Sequence, residues 1–237
     1  MSNPFSQYQQ PMNQPGSSDY SPVMTSASFL SKVMICFGLA LAVSAAGTFT
    51  GFHYMAELFV TNPMFIWLFL AIELILVFTA RLWSTIRPIN YLLFALFAFV
   101  TGITIAPFLA SIILEFGGPD LIIKAFLATT ATFMAAAIAG WVSNRSLMGL
   151  GGFLWIALIG MVVVSVIGIF VPWSNNFEMI FSGLGVAVFT GYTMYDIQRL
   201  KSYPPDRYID AALQLYLDIF NLFLYILRLM GGISRRR

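Results

Sequence analysis

The sequence predicts an all-α membrane protein with seven transmembrane helices. Of its 237 residues, 59% are hydrophobic and only 9% are charged, whereas soluble domains contain about 25% charged residues. Behind a polar tail, the chain consists of apolar runs that reach the length of about 20 residues needed to cross a bilayer as a helix. In the last run, polar residues recur at the α-helical period.

The tail comprises residues 1–27 and is rich in Gln, Pro, Ser and Asn. A segment of this composition cannot bury enough apolar surface to fold alone. It also lacks the basic start and adjoining apolar core of a secretory signal. We therefore expect a disordered tail over 1–27 and a seven-helix transmembrane domain over 28–237.

Seven apolar runs follow the tail, and the loops between them contain turn-forming pairs such as Asn62-Pro63 and Arg87-Pro88. Pro107 lies inside the third run, where neighbouring helices can satisfy the carbonyl that a proline frees. The predicted helices lie at roughly 29–52, 64–83, 89–113, 121–142, 150–172, 177–200 and 208–230.

Lys and Arg residues concentrate in alternate loops, which predicts the orientation of the chain. The second, fourth and sixth loops and the N-terminus should be cytoplasmic. Seven full spans would then place the C-terminal arginines outside, so the side of the C-terminus stays open. The residues that define the basic loops are Arg81, Arg87, Arg145, Arg199, Lys201 and Arg207.

The last run carries a polar stripe whose members are separated by three or four residues. A carboxylate that faces hydrocarbon costs about 3 kcal/mol, so the stripe should face the bundle interior or a water-filled path. For its amides and its tyrosine, interhelical hydrogen bonds are the favoured role. The members of the stripe are Asp210, Gln214, Asp218, Asn221, Tyr225 and Arg228.

Asp196 and Asp218 are predicted to lie at similar depth on two antiparallel neighbouring helices, because only a short loop joins the sixth and seventh runs. If their carboxylates meet, both cannot ionise cheaply in a low dielectric, and a proton would be shared. When both are ionised, they resemble an oxygen site for a hard cation such as calcium. The residues alone favour an ion or proton path and a purely structural role equally.

Three further charged residues lie inside predicted helices. Glu73 could line the same path or cap a neighbouring helix. Arg228 lies about 15 Å beyond Asp218 along the stripe, near the opposite mouth of a path. Arg81, at the same end of the bundle as Asp196, is the better placed positive partner for the two aspartates.

The last two runs resemble the signature of the Bax inhibitor family, the transmembrane Bax inhibitor motif proteins. The similar segments are Gly191-Tyr-Thr-Met-Tyr195-Asp196-Ile and, after a short basic loop, the stretch from Ala212 to Arg228. Glu73 and the segment Thr101-Gly102-Ile-Thr-Ile-Ala106-Pro107 are also similar.

The resemblance implies six helices that surround a central C-terminal helix, in a bacterial plasma membrane protein. It implies a pH-sensitive calcium leak whose gate, and whose contact with the ion, is formed by Asp196 and Asp218. We place Glu73, Asn221 and Arg228 along the ion path. A basic residue of the second helix latches onto the aspartates in the family, and Arg81 is the candidate here. Calcium is expected as the transported ion, with no bound organic cofactor.

Other classes of protein fit the sequence less well. A retinal protein needs a Lys in the last helix, which has none, and a net charge of +2 does not suggest nucleic acid binding. We expect no enzyme activity, although an intramembrane protease with a catalytic aspartate pair would fit the same residues. The main alternative is a regulatory membrane protein that binds a membrane protease or a stress-response partner and transports nothing.

Overall fold

The computed structural model describes residues 27–236, which are helical apart from short connections. The predicted tail over 1–27 lies outside the described residues except for Ala27, where the first helix begins. The N-terminal half contains α1 (Ala27–Thr50), a π-helical turn (Gly51–Met55), α2 (Ala56–Thr61), α3 (Met64–Phe78), α4 (Ala80–Trp83) and α5 (Ile89–Phe116). The C-terminal half contains α6 (Asp120–Val142), a 3-10 turn (Met148–Leu150), α7 (Gly151–Phe170), α8 (Asn175–Arg199), a second 3-10 turn (Leu200–Ser202) and α9 (Tyr208–Ser234).

Six helical segments between residues 27 and 236 are long and apolar enough to cross a membrane. This confirms an all-helical membrane fold, whereas the expected number of seven crossings stays a prediction. The six segments are Ala27–Thr61, Ile89–Phe116, Asp120–Val142, Met148–Phe170, Asn175–Ser202 and Tyr208–Ser234.

The predicted second span, 64–83, is divided at Thr79 into α3 and α4. The hydroxyl of Thr79 donates to the carbonyl of Ile75 at 2.6 Å. The indole of Trp83 donates to the carbonyl of Leu76 at 3.2 Å. These two side chains thus satisfy backbone carbonyls at the end of α3. With 15 residues, α3 alone is shorter than a typical span.

Local sequence explains where α5 ends and where α8 begins. Gly117 follows α5 with a φ of 72°, a left-handed conformation that glycine adopts without steric cost. Ser174 precedes α8, and its hydroxyl accepts a hydrogen bond from the backbone N–H of Phe177 at 3.3 Å. Within α5 the helix continues through Pro107.

The core of the bundle is built around α9, which packs against α1, α5, α6 and α8. Apolar residues of α9 such as Leu215 and Leu222 are completely buried. By contrast, α7 exposes large apolar side chains such as Phe153 and Ile156. An apolar outer face is what a helix needs in contact with lipid.

Glycines bring the backbones of two helix pairs into close contact. A Cβ at Gly102 of α5 would lie 2.0 Å from the carbonyl oxygen of Ser44 on α1. A Cβ at Gly140 of α6 would lie 2.3 Å from the carbonyl oxygen of Met194 on α8. Both contacts are closer than any larger residue allows, so glycine sets the helix spacing here.

Candidate functional site

The structure brings Asp196 of α8 and Asp218 of α9 together. The two helices pack against each other along their length, and the two carboxyl groups lie within hydrogen-bonding reach. Asp196 is 7% exposed and Asp218 is 4% exposed. The two residues, predicted from the short connecting loop to lie at similar depth, are therefore in direct contact.

A hydrogen bond between two carboxyl groups requires a proton on one of them, because an ionised carboxylate can only accept. Asp218 Oδ2 is buried and has no hydrogen-bond partner in the part of the chain that the structure describes. A second negative charge on this buried pair would be repelled by the first.

Arg199 is the cation that acts on Asp196, from three residues further along α8. Its guanidinium lies 5.1 Å from the centre of the Tyr203 ring. Tyr192, one turn before Asp196, lies close enough to interact electrostatically with both aspartates. An aromatic hydroxyl and an arginine thus flank the pair along α8.

No salt bridge joins Arg81 to either aspartate within residues 27–236, and its role as the latch stays a prediction. It is exposed on α4, which packs against α3 and α5, and the cation that acts on Asp196 is Arg199. The break at Thr79 ends α3 and places Arg81 on the short α4.

Asn221 and Arg228 line a common cavity of about 290 Å³, between α7, α8 and α9. The side-chain amide of Asn221 donates to the carbonyl of Leu217 at 2.7 Å. The guanidinium of Arg228 lies 5.6 Å from the centre of the Phe108 ring. Neither Asp196 nor Asp218 lines this cavity. The polar stripe on α9 therefore contributes to two separate sites, the aspartate pair and this cavity.

Glu73 lies apart from both of these sites, between α3 and α5. Its carboxylate accepts a hydrogen bond from the Thr104 hydroxyl. Next to it, the Tyr216 hydroxyl donates to Ser44 Oγ at 3.0 Å and also interacts with Thr101. Sequence analysis missed this link between α1, α5 and α9. Tyr216 lies two residues before Asp218, off the stripe, and only the pairing of helices reveals its partners.

Polar side chains also tie the two ends of the bundle. At one end Gln198, two residues after Asp196, accepts a hydrogen bond from the N–H of Leu147 at 2.6 Å and donates to the carbonyl of Arg145 at 2.8 Å. At the other end Arg235 donates two hydrogen bonds to Glu115, at 2.5 and 2.8 Å. This carboxylate raises the pKa of Arg235.

The aspartate pair could offer a metal ion two carboxylate groups. Within residues 27–236, no group of three or more His, Cys, Asp and Glu side chains is close enough to hold one. Calcium takes about six to eight oxygen ligands, which include backbone carbonyls and waters. Asp196 and Asp218 alone would supply only part of such a shell.

Comparison with known proteins extends over almost the whole described chain. The family model of Bax1-I, inhibitor of apoptosis-promoting Bax1, matches residues 26–236. Bax inhibitor 1 of Schizosaccharomyces pombe is 31% identical over 86% of this chain and 76% of its own length. Golgi anti-apoptotic protein of vaccinia virus is 30% identical over 85% of this chain and 84% of its own length. Inner membrane protein YbhL of Escherichia coli is 33% identical over 82% of this chain and 86% of its own length.

These matches agree with the apolar helices of the fold. Six candidate spans and the likeness to an inner membrane protein identify a multi-pass integral protein of the inner membrane. The family model covers far more than half of the chain, and the relatives are at least 30% identical over most of their own lengths. The chain therefore belongs to the Bax inhibitor family.

Proposed function

We propose that this protein is a pH-sensitive calcium leak channel whose gate is the contact between Asp196 and Asp218. The observation that carries the proposal is that contact, a buried pair of carboxyl groups on two packed helices. A bundle held together by amides or hydroxyls alone would need no ionisable group at this depth.

The gate closes when a proton is shared between the carboxyl groups and opens when both are ionised. Two unit charges 4 Å apart repel by about 4 kcal/mol at an effective dielectric constant of about 20. That repulsion acts between α8 and α9, which meet at the pair. The two separated carboxylates then offer oxygen ligands to calcium, with carbonyls and waters completing its shell.

We also propose that α3 and α4 together make a seventh crossing and that α9 is the central helix. From Met64 to Trp83 the chain would span about 30 Å at 1.5 Å per residue, which is the thickness of the hydrocarbon core. The packing of α9 against α1, α5, α6 and α8 supports the central position. In this arrangement Glu73 lies inside the bilayer beside α5, where it would line the path.

The test is calcium flux into dye-loaded proteoliposomes at several values between about pH 5 and 8, a range set by the need to ionise a coupled acidic pair. The parent protein should carry more calcium as the pH rises. The double variant Asp196→Asn with Asp218→Asn should lose the pH dependence or the flux. Asp206→Asn, in the exposed loop before α9, is the control and should behave as the parent.

A regulatory function without transport is the second candidate. It is favoured by the names of two relatives, Bax inhibitor 1 and Golgi anti-apoptotic protein, which describe inhibition and anti-apoptotic action. No flux at any pH, or a flux that the double variant leaves unchanged, would assign the aspartates to helix packing. The protein would then be expected to act by binding a membrane protease or another membrane protein.

A further inference from the structure

Two adjoining cavities open between α7 and α9, away from the aspartate pair. The larger has a volume of about 500 Å³ and the smaller about 290 Å³. Ser165, Ile169 and Arg228 line both of them. The two spaces therefore meet at one arginine side chain.

The larger cavity contains polar groups that lack partners. The indole N–H of Trp173 and the Oδ1 atom of Asn175 are both buried and make no hydrogen bond within the described chain. A buried polar group left unpaired costs about 1–3 kcal/mol. The Trp173 donor and the Asn175 acceptor both belong to residues that line the larger cavity. They indicate a polar ligand that forms hydrogen bonds with both groups.

Arg228 also lacks a carboxylate partner. The salt bridges between residues 27 and 236 involve the cations Arg207 and Arg235. An arginine inside a span costs about 2.5–3.5 kcal/mol on insertion scales, and such residues normally pair with an anion or face water. Guanidinium groups bind phosphate with two parallel hydrogen bonds, so phosphate is the anion that fits best.

The smaller cavity is apolar and lies beside the lipid-facing surface of α7. Val162 and Val166 line it while 54% and 49% exposed, so it opens sideways between the helices. Its mostly apolar lining suits a hydrocarbon chain rather than an ion. Its apolar lining residues are Leu158, Met161, Val162, Val166, Ile169, Phe189 and Leu224.

We propose that the two cavities together bind one phospholipid molecule. Its phosphate lies against Arg228, its headgroup fills the larger cavity, and one acyl chain occupies the apolar cavity. Glu178 lines the headgroup cavity and makes no salt bridge among the described residues. Arg235 lines the same cavity but is already paired with Glu115. An amine on the headgroup would meet the unpaired Glu178 carboxylate, so the site favours phosphatidylethanolamine over phosphatidylglycerol. This inference is independent of the proposed calcium leak.

The test measures lipid retained by the full-length protein in detergent, by native mass spectrometry after incubation with phosphatidylethanolamine or phosphatidylglycerol. Arg228→Gln should lower retention of phosphatidylethanolamine about tenfold, as expected for a lost hydrogen bond to a charged group. Arg145→Gln, at an exposed arginine in the loop after α6, should leave retention unchanged.

A second pair of variants tests the acyl chain separately from the charge. Val162→Trp fills the apolar cavity and should also lower retention, while Val163→Trp should not. Val163 is the adjacent residue on α7, is similarly exposed at 50%, and lines neither cavity. Size-exclusion chromatography checks that each variant is folded, so that differences in retention report lipid binding.

Three results would overturn the proposal. The first is equal retention by the parent, Arg228→Gln and Val162→Trp. The second is displacement of the lipid by free phosphoethanolamine at equal concentration, which would assign the site to a soluble anion. The third is a preference for phosphatidylglycerol, which would refute the proposed headgroup and the role of Glu178 in selecting it.

Discussion

The hydroxyl of Tyr216 on α9 donates a hydrogen bond to Ser44 Oγ on α1, 3.0 Å away and 172 residues apart in sequence. Tyr216 is completely buried, and its ring packs edge-on against Phe94 and Phe97 of α5. One side chain therefore connects the first and last helices through the core.

The loss of this bond should destabilise the bundle. Tyr216→Phe keeps the ring and leaves the Ser44 hydroxyl without its donor, so the free energy of unfolding should fall by about 1 kcal/mol. Thermal unfolding in detergent measures the change. Tyr54→Phe, at a tyrosine that is 71% exposed, serves as the control, and an equal effect of both variants would refute the importance of the bond.

Single substitutions in the aspartate pair should keep the proposed gate closed. In Asp218→Asn the new amide donates to the Asp196 carboxylate at every pH, so the repulsion that opens the gate at high pH is absent. Calcium flux should then stay low from acid to alkaline pH, whereas the parent flux rises. A variant whose flux still rises with pH would show that another group senses the proton.

The bond between Thr104 and Glu73 should appear as an energetic coupling. Thr104→Val leaves the Glu73 carboxyl without a donor and should lower stability by about 1–3 kcal/mol. In a Glu73→Leu background the same change should cost almost nothing, since no carboxyl remains to be satisfied. Unfolding in mixed micelles of increasing SDS content gives the four free energies of the cycle. A coupling of zero would mean that the two side chains do not depend on each other.

The close contact at Gly102 should make this glycine intolerant of a methyl group. Gly102→Ala places a Cβ against the Ser44 carbonyl and should destabilise the protein by about 1–3 kcal/mol through overpacking. Gly183→Ala on α8 meets no atom within 4 Å, and its helix should gain up to about 1 kcal/mol. Melting temperatures of the two variants should therefore move in opposite directions, and a shared direction would contradict the packing at α1 and α5.

The elements that the sequence predicted well are those whose signals are local. Apolar length located most of the long helices within a few residues, because the bilayer sets a minimum span. The short loop between α8 and α9 predicted that Asp196 and Asp218 lie at similar depth, since antiparallel neighbours joined by a few residues share their depth. That the two carboxyl groups meet came from the structure.

The parts that could not be predicted depend on which helices pack side by side. The break at Thr79, which places Arg81 on α4, leaves no trace in the hydropathy of the predicted second span. Arg199 was counted as a loop charge, although it ends α8 and acts on Asp196. Thr104 and Ser44 are ordinary helix residues in sequence, and only the contacts between α3 and α5 and between α1 and α9 give them partners.

The hydrogen bonds of Gln198 would make the loop that follows α6 a reporter of the proposed gate. Gln198 is two residues from Asp196, and its side chain holds the backbone at Leu147 and Arg145. A displacement of α8 that parts the two carboxyl groups has to carry this loop along or break its bonds. Such a movement would be transmitted to a surface segment, where a fluorescent label could follow it outside the proposed ion path.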